Sequence, residues 1–244
     1  MTFKGLFTKI KEFIAYSKSR YYFHFDDNIY YEISGYKAKI MNFINIIYSI
    51  INFKSRNMII GERIVEIPFL YKNIDFENTK KILDLGCVGS KTSLQLASIG
   101  LSVIAVDYRS YPFKHKNLEF IQGNFFDLEF PLESFDCAYS ISTIEHIGLP
   151  AYNIKPFEDG DKKAIEKLYQ LLKTRGKLIL TVPFGKNKVS QFARNYNLNS
   201  LKKLLSDFKI DKLKIYEKKK DGWELSDTSP SNLEKVACIV CFKE

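Results

Sequence analysis

The sequence predicts an α/β fold, namely a doubly wound, mostly parallel seven-stranded sheet with an antiparallel last strand and an N-terminal helical extension. Two observations support this prediction. From Lys81 onward, short and nearly continuous apolar segments alternate with segments of helical spacing, which indicates a parallel sheet covered on both faces. The first apolar segment also runs through a glycine turn into a helix, as in many ligand-binding α/β domains.

The apolar segments define the individual elements in chain order. The predicted strands span residues 81–87, 101–107, 118–122, 135–141, 178–184, 212–217 and 236–242, and the predicted helices span 91–98, 161–174 and about 201–208. Asp161 is a candidate N-cap of the clearest helix, and Gly176 is its candidate stop signal. Ligands bind beyond the carboxyl ends of parallel strands, so we expect the site just after Leu85, Val106, Gln122 and Tyr139.

Residues 1–60 differ in character and are predicted to be a helical, basic and aromatic extension of the domain at 61–244. Apolar residues from Phe3 to Ile14 follow helical spacing between lysines, which indicates a basic amphipathic helix. Three alternatives stay open: this helix packs on its own domain, packs on a sister subunit in a homodimer, or lies on a membrane surface.

The net charge and the cysteines indicate which partners and which cellular compartment suit the protein. The formal net charge of +9 fits an anionic partner, and it equally fits the lysine-rich usage of an AT-rich genome. Cys238 and Cys241 would point to opposite faces of a strand, so we expect buried free thiols in a reducing compartment. No secretory signal is apparent, and the apolar stretch at residues 41–53 is shorter than the ~20 residues that span a bilayer. These features predict a cytoplasmic protein.

The glycine turn carries the strongest functional signal. The strand ends near Asp84, Gly86 and Gly89 follow, and Asp107 closes the next strand 21 residues after Gly86. An acid in that place can accept both hydroxyls of an adenosine ribose. The G-x-G-x-x-G pattern that holds a dinucleotide pyrophosphate does not occur here, and Asp84 would repel a pyrophosphate. A methyl donor with an ammonium and a sulfonium group fits Asp84 better.

Five segments in order resemble the motifs of class I S-adenosylmethionine-dependent methyltransferases, which have a Rossmann-like fold. They are residues 82–90, 103–107, 122–127, 135–146 and 171–180. The resemblance implies S-adenosylmethionine as the cofactor, held by Asp84, Gly86, Val88, Gly89, Asp107, Tyr108, Asn124, Phe125 and Ser140. The sequence departs from the family pattern at Val88 and Ser90, where glycines are usual, and at Asn124, where an acid is usual.

Three further segments resemble methyltransferases encoded among bacterial surface-polysaccharide genes, such as those for capsule and O-antigen. These segments are residues 142–148, 159–161 and 182–186. The resemblance implies O-methylation of a sugar hydroxyl, with a nucleotide-linked sugar as the small-molecule partner. His146 is the candidate general base, because it follows the fourth strand, where the methyl group would be delivered. Asp159 and Glu145 are weaker catalytic candidates, and no spacing requires a metal.

Three other functions fit parts of the sequence. A small-metabolite N- or O-methyltransferase would use the same cofactor site. An RNA methyltransferase would use the positive charge, but we find no RNA-binding module and expect no nucleic-acid partner. A membrane-associated scaffold that binds the cofactor only structurally would use the basic N-terminal helix.

Overall fold

The computed structural model describes residues 60–150, 154–220 and 222–244, together with two strands nearer the N-terminus. The chain divides into two compact units, Met1–Ile59 and Ile60–Glu244. In the first unit, β1 (Tyr21–Asp26) pairs antiparallel with β2 (Ile29–Ile33). These strands lie within the extension predicted to be helical, and their aromatic and β-branched residues favour extended backbone. The predicted amphipathic helix between Phe3 and Ile14 lies outside the described residues.

The second unit contains an eight-stranded sheet and one small two-stranded sheet. Its strands are β3 (Lys81–Leu85), β4 (Ser102–Asp107), β5 (Leu118–Gln122), β6 (Phe135–Ile141), β7 (Leu172–Phe184), β8 (Lys188–Val189), β9 (Arg194–Asn195), β10 (Phe208–Lys219), β11 (Gly222–Ser226) and β12 (Lys235–Lys243). Its helices are α1 (Arg63–Asn73), α2 (Thr92–Ser98), α3 (Gly160–Leu171) and α4 (Leu198–Leu204). Short 3-10 turns span Phe125–Asp127 and Ile144–His146.

The large sheet has the order β11-β10-β12-β7-β6-β3-β4-β5. The strands from β7 to β5 are parallel, whereas β12 is antiparallel to both β7 and β10. The predicted Rossmann-like, mostly parallel sheet with an antiparallel last strand is therefore confirmed. The predicted count of seven strands is wrong, because β11 adds an eighth strand at the edge. Its sequence, Gly-Trp-Glu-Leu-Ser, is partly exposed and lacks the continuous apolar character of the buried strands.

The boundaries around α3 differ from the prediction. The helix begins at Gly160, and Asp161 lies in its first turn, where Tyr196 donates to its carboxylate over 3.0 Å. Asp161 is therefore not the N-cap. The helix ends at Leu171 and the chain passes directly into β7, so Gly176 lies inside a strand rather than at a helix stop. The strand begins early because Leu172 already pairs with Phe135 of β6.

Two apolar layers cover the large sheet, one on each face. The larger layer includes α3 and α4, and the other includes α1 and α2. Cys241 belongs to the first layer and Cys238 to the second, which confirms that the two side chains point to opposite faces. All four cysteines are buried and free, and burial raises the pKa of each thiol. Within the described residues, no helix is both long and apolar enough to cross a bilayer.

Two glycines bring the start of α3 against the loop that follows β6. A Cβ placed on Gly160 would lie 2.6 Å from the Cα of Gly148 and 2.6 Å from the carbonyl oxygen of Ile147. Both neighbours are backbone, which has little freedom to move away. This contact fixes the distance between α3 and the loop.

We therefore expect Gly160→Ala to lower the free energy of unfolding by about 1–3 kcal/mol, as overpacking does in other cores. Gly61→Ala is the matched control, because a Cβ there meets nothing within 4 Å. Its effect should stay within about 0.5 kcal/mol. Urea unfolding followed by circular dichroism measures both values. Equal stability of the two variants would show that the loop can retreat.

Candidate active site

A cavity of about 220 Å³ opens at the carboxyl ends of β3, β4, β5 and β6. The chain runs from β3 to β4 and β5 on one side and from β6 to β7 on the other, so the sheet reverses its winding between β3 and β6. Such a reversal leaves a crevice above the two central strands. The lining residues are Arg63, Leu85, Gly86, Val88, Gly89, Val106, Asp107, Tyr108, Arg109, Gly123, Asn124, Phe125, Phe126, Ser142, Thr143, His146, Ile147, Gly148, Leu149, Ile154 and Phe157.

The glycine turn after β3 forms one wall of the cavity. Gly86 has a φ of +91°, and a Cβ there would collide with the Thr143 side chain, so only glycine fits. Gly89 has a φ of +101°, and a Cβ there would meet nothing within 4 Å. The turn is therefore closed against β6 at Gly86 and open at Gly89, where a ligand can approach the backbone.

The carboxylate of Asp107 stands at the end of β4 and has every acceptor position engaged. Its Oδ2 accepts from the Val88 backbone N–H at 2.9 Å and from Nη2 of Arg109 at 3.2 Å. Its Oδ1 accepts from the backbone N–H of Arg109 at 2.9 Å and from Nε of Arg109 at 3.2 Å. The guanidinium thus lies against the carboxylate at the cavity edge.

Two predicted cofactor residues lie behind this lining. Asp84 is buried, and its Oδ2 accepts from the Tyr139 hydroxyl at 2.7 Å and from the Ser93 hydroxyl. Burial raises the pKa of Asp84 to about 7, against the opposing effect of those two hydroxyls. Ser140 is also buried and donates to the carbonyl of Leu85 at 2.9 Å. Direct contact of either side chain with the cofactor stays a prediction that this geometry does not support.

Three other predicted cofactor residues line the cavity, namely Tyr108 after β4 and Asn124 and Phe125 after β5. The Asn124 side chain accepts from the backbone N–H of Phe126 at 3.1 Å and donates to Asp127, so it caps the 3-10 turn. Phe125 is buried, and Tyr108 is 43% exposed. The Asn124 carbonyl is therefore engaged locally, while the aromatic rings supply flat surfaces suited to a purine.

A strained turn connects β6 to the 3-10 turn that carries His146. Ser142 has a φ of +44°, a conformation that costs a non-glycine residue roughly 1–3 kcal/mol. Its hydroxyl donates to Glu66 at 2.6 Å, and its N–H donates to the Thr181 hydroxyl at 3.0 Å. Glu66 is fully buried in α1 and pairs with Arg63 at 2.8 Å. Sequence reasoning missed Arg63 and Glu66, because no motif connects α1 with β6. It gave Ser142 no role of its own, although this residue begins the segment 142–148.

His146 lines the cavity in the 3-10 turn after β6. Its Nδ1 lies 2.6 Å from the carbonyl oxygen of Phe192, which can only accept, so a neutral imidazole carries its proton on Nδ1. The ring also packs edge-on against Phe192, with 4.6 Å between centroids. Burial lowers the pKa of His146, and nearby arginines lower it further. The ring is therefore neutral near pH 7, with Nε2 as the basic nitrogen.

Glu145 lies behind the histidine and outside the cavity lining. It is buried, and burial raises its pKa to about 8, which the carboxylate of Glu66 reinforces. Its Oε1 is 3.7 Å from Nε2 of His146, and its Oε2 finds no hydrogen-bond partner among the described residues. The pKa of the Glu145 carboxyl is raised and the pKa of the His146 imidazole is lowered, so both groups are neutral at pH 7.

Asp159 lies outside the lining. It is exposed, has a φ of +55° and pairs with Lys162 at 2.6 Å, which lowers the pKa of its carboxyl. Arg194 of β9 instead contacts the chain just after His146, donating to the carbonyl of Ile147 at 2.7 Å. The hairpin of β8 and β9 thus holds the turn of His146 from outside, through Phe192 in its loop and Arg194 in β9. Neither residue stands in a recognisable motif.

A protein-family model described as "Methyltransferase domain" matches residues 83–180, the segment from β3 into β7. Among curated proteins, none matches this sequence. Many solved structures share the fold. One is a Methanosarcina mazei protein described as a SAM-dependent methyltransferase, 21% identical, with a TM-score of 0.53; the match covers 72% of this chain and 97% of that one.

Two of the similar structures are described with their ligands. The Burkholderia thailandensis 1,6-didemethyltoxoflavin-N1-methyltransferase, with S-adenosylhomocysteine bound, is 12% identical over 92% of this chain and 96% of that chain, with a TM-score of 0.55. The Haemonchus contortus phosphoethanolamine N-methyltransferase 2, with S-adenosyl-L-methionine, is 16% identical over 78% and 54%, with a TM-score of 0.54. At these identities the similarity shows a shared fold.

The residues present fit S-adenosylmethionine, the cofactor that the sequence motifs predict. The open side of the turn at Gly89 leaves room beside the backbone, and the two carboxylate oxygens of Asp107 would match a ribose diol once the Arg109 side chain moves away. The aromatic rings beyond β5 match the adenine. Seven of the nine predicted cofactor residues therefore line a single cavity, and Asp84 and Ser140 do not. The seven are Gly86, Val88, Gly89, Asp107, Tyr108, Asn124 and Phe125.

We expect Asp107→Ala to weaken binding of S-adenosylhomocysteine by roughly ten- to a hundredfold, because charge-assisted hydrogen bonds are worth ~1.5–3 kcal/mol. Titration calorimetry measures the dissociation constant. Asp136→Ala is the control, because that acid bonds the backbone N–H groups of Lys80 and Lys81 at the opposite end of β3. An unchanged dissociation constant in folded Asp107→Ala protein would place the ribose elsewhere.

Proposed function

We propose that this protein is an S-adenosylmethionine-dependent sugar O-methyltransferase of bacterial capsular or surface-polysaccharide biosynthesis. Residues 83–180, which match the methyltransferase domain model, would form its class I catalytic domain. The observation that supports a hydroxyl as the acceptor is the neutral state of the His146 imidazole. A neutral imidazole, fixed by the Phe192 carbonyl, lines the cavity beside the cofactor wall. A hydroxyl needs such a base because it does not ionise near neutral pH.

The chain itself has two tasks in this reaction. Bound S-adenosylmethionine supplies an electrophilic methyl group on its sulfonium. The cavity holds the acceptor oxygen in line with that group, and alignment of this kind contributes up to ~7–11 kcal/mol. Nε2 of His146 takes the hydroxyl proton as the oxygen attacks, a contribution of typically ~10²–10⁴-fold. The Nδ1 bond to Phe192 then stabilises the imidazolium that forms.

A nucleotide-linked sugar fits the charge around the cavity. Arg63 and Arg109 line it, and both contribute a positive potential at His146. An anionic diphosphate would be drawn to this side of the domain. The choice of a sugar rests on the resemblance of residues 142–148, 159–161 and 182–186 to methyltransferases of surface-polysaccharide genes. Asp159, exposed and within reach of solvent, remains a candidate for binding sugar hydroxyls.

Methylation of a small metabolite on nitrogen or oxygen is the second candidate. One side of the cavity is apolar, formed by Ile147, Leu149, Ile154 and Phe157. Such a surface suits a flat heterocycle as well as a sugar face. Two of the similar structures are described as N-methyltransferases, of 1,6-didemethyltoxoflavin and of phosphoethanolamine. An amine acceptor would reduce the need for His146 as a base.

The acceptor class can be tested with S-adenosylmethionine carrying an isotopically labelled methyl group. We expect the label to enter uridine- and thymidine-diphosphate hexoses, with NMR placing it on a ring oxygen. Phosphoethanolamine and planar N-heterocycles, offered at the same concentration, should stay unlabelled. Labelling of nitrogen alone would contradict the proposal and favour the second candidate.

The role of the base is tested separately. His146→Ala and His146→Asn should lower turnover by roughly 10²-fold or more while leaving cofactor affinity nearly unchanged. Because the pKa of His146 lies below its ordinary 6.5, the wild-type rate should rise with pH, level off before neutrality and stay flat above.

His115→Asn is the matched control, since that ring accepts from the Asn117 backbone N–H before β5 and lies outside the lining. Its turnover should equal that of the wild type. Near-normal turnover in His146→Ala protein, measured with methyl transfer rate-limiting, would move the role to Glu145 or Asp159.

A further inference from the structure

The geometry at Asp107 points to an internal competitor of the cofactor. We propose that the Arg109 guanidinium occupies the two acceptor positions of Asp107 that a ribose diol needs, so that Arg109 sets the cofactor affinity. This inference rests on the proposed role of Asp107 as the ribose-binding acid. It concerns a residue that no motif singles out, two positions beyond the strand end.

Counting acceptor positions shows why the two ligands exclude each other. A carboxylate offers about four lone-pair positions, two on each oxygen. Backbone N–H groups of Val88 and Arg109 take one position on each oxygen, both at 2.9 Å. Nε and Nη2 of Arg109 take the second position on each oxygen, both at 3.2 Å. No position is left for a hydroxyl.

The backbone donors to Asp107 are fixed by the fold, whereas the guanidinium donors can move away. The backbone donors belong to the turn after β3 and to the chain leaving β4, so they orient the carboxylate whether or not a ligand is bound. The guanidinium stands at the end of a side chain that is 43% exposed. Rotation of that side chain releases one acceptor position on Oδ1 and one on Oδ2. A vicinal diol donates two O–H bonds in the same pattern, one to each oxygen.

A further contact holds the competitor in place. Nη2 of Arg109 donates to the carbonyl of Val88 at 2.9 Å, across the turn that the cofactor must approach. Binding therefore exchanges a bidentate ion pair and this bond for the hydrogen bonds of the diol. The apparent affinity for the cofactor is therefore reduced by the fraction of molecules in which the Arg109 guanidinium occupies Asp107. A ligand without the diol has no means of competing for these positions.

Arg109→Gln should tighten the binding of S-adenosylhomocysteine by roughly two- to fivefold, the range that exposed ion pairs contribute. S-adenosylhomocysteine is the probe because its sulfur is uncharged, which limits general electrostatic effects. Arg175→Gln is the control, since it removes the same charge from an exposed position in β7, outside the lining. Its dissociation constant should match that of the wild type.

The 2′,3′-dideoxy analogue of S-adenosylhomocysteine makes the test specific. Wild-type and Arg109→Gln proteins should bind this analogue with equal affinity, because only the diol competes with the guanidinium. Unchanged or weaker binding of S-adenosylhomocysteine to Arg109→Gln protein would overturn the inference, as would equal tightening for both ligands.

Asp107→Ala separates this inference from the proposed role of Asp107. Weaker binding in Asp107→Ala protein, with no change in Arg109→Gln, would overturn the competition alone. No change in either variant would overturn both the competition and the ribose-binding role.

Discussion

The site depends on a single buried hydrogen bond between the two strands at which the sheet reverses its winding. Asp84 of β3 and Tyr139 of β6 are paired in register, and the tyrosine hydroxyl donates to the carboxylate at 2.7 Å. Ser93 of α2 donates to the same oxygen, so strand, neighbouring strand and following helix meet at one atom. A buried carboxyl is costly unless its acceptors are satisfied, and here two hydroxyls satisfy it. The glycine turn between β3 and α2 is consequently held at both ends, which keeps its backbone in place for a ligand.

The opposite wall is held by a second buried carboxylate, contributed by the helix that precedes the sheet. Glu66 accepts from Ser142 at 2.6 Å and pairs with Arg63, and it thereby stabilises a left-handed residue next to the 3-10 turn that carries His146. Strain of this kind persists only where neighbouring contacts over-determine it. The Arg194 and Phe192 contacts then fix the turn from the other side. His146 is therefore oriented by three separate segments of the chain, although only its own segment carries a motif.

The sheet could be predicted from sequence because continuous apolar runs indicate strands that are buried on both faces. The predicted bounds of β5 and β6 agree with the structure at both ends. The partly exposed β11 leaves no such record. The position of the glycine turn and of Asp107 at the cavity could be predicted because each lies at the carboxyl end of a parallel strand. Asp84 shows the limit, because its place in the motif suggests a ligand contact while its side chain faces α2. Arg63, Glu66 and Phe192 could not be found, since their roles arise from contacts between elements distant in sequence.

Burial divides the acids around the cavity by charge. Asp84 and Glu145 are enclosed by protein, and burial raises their pKa values to about 7 and about 8, so neither carries a full negative charge near neutral pH. Glu66 is balanced by Arg63 at 2.8 Å. Asp107 is the acid that meets the cavity directly, and Arg109 lies against it. A cofactor with two cationic groups thus enters a site in which Glu66 and Asp107 are each paired with an arginine. If Arg109 competes as proposed, the ribose would be recognised by displacing a guanidinium, which requires two hydroxyls at a fixed spacing. An open carboxylate would instead attract any cation.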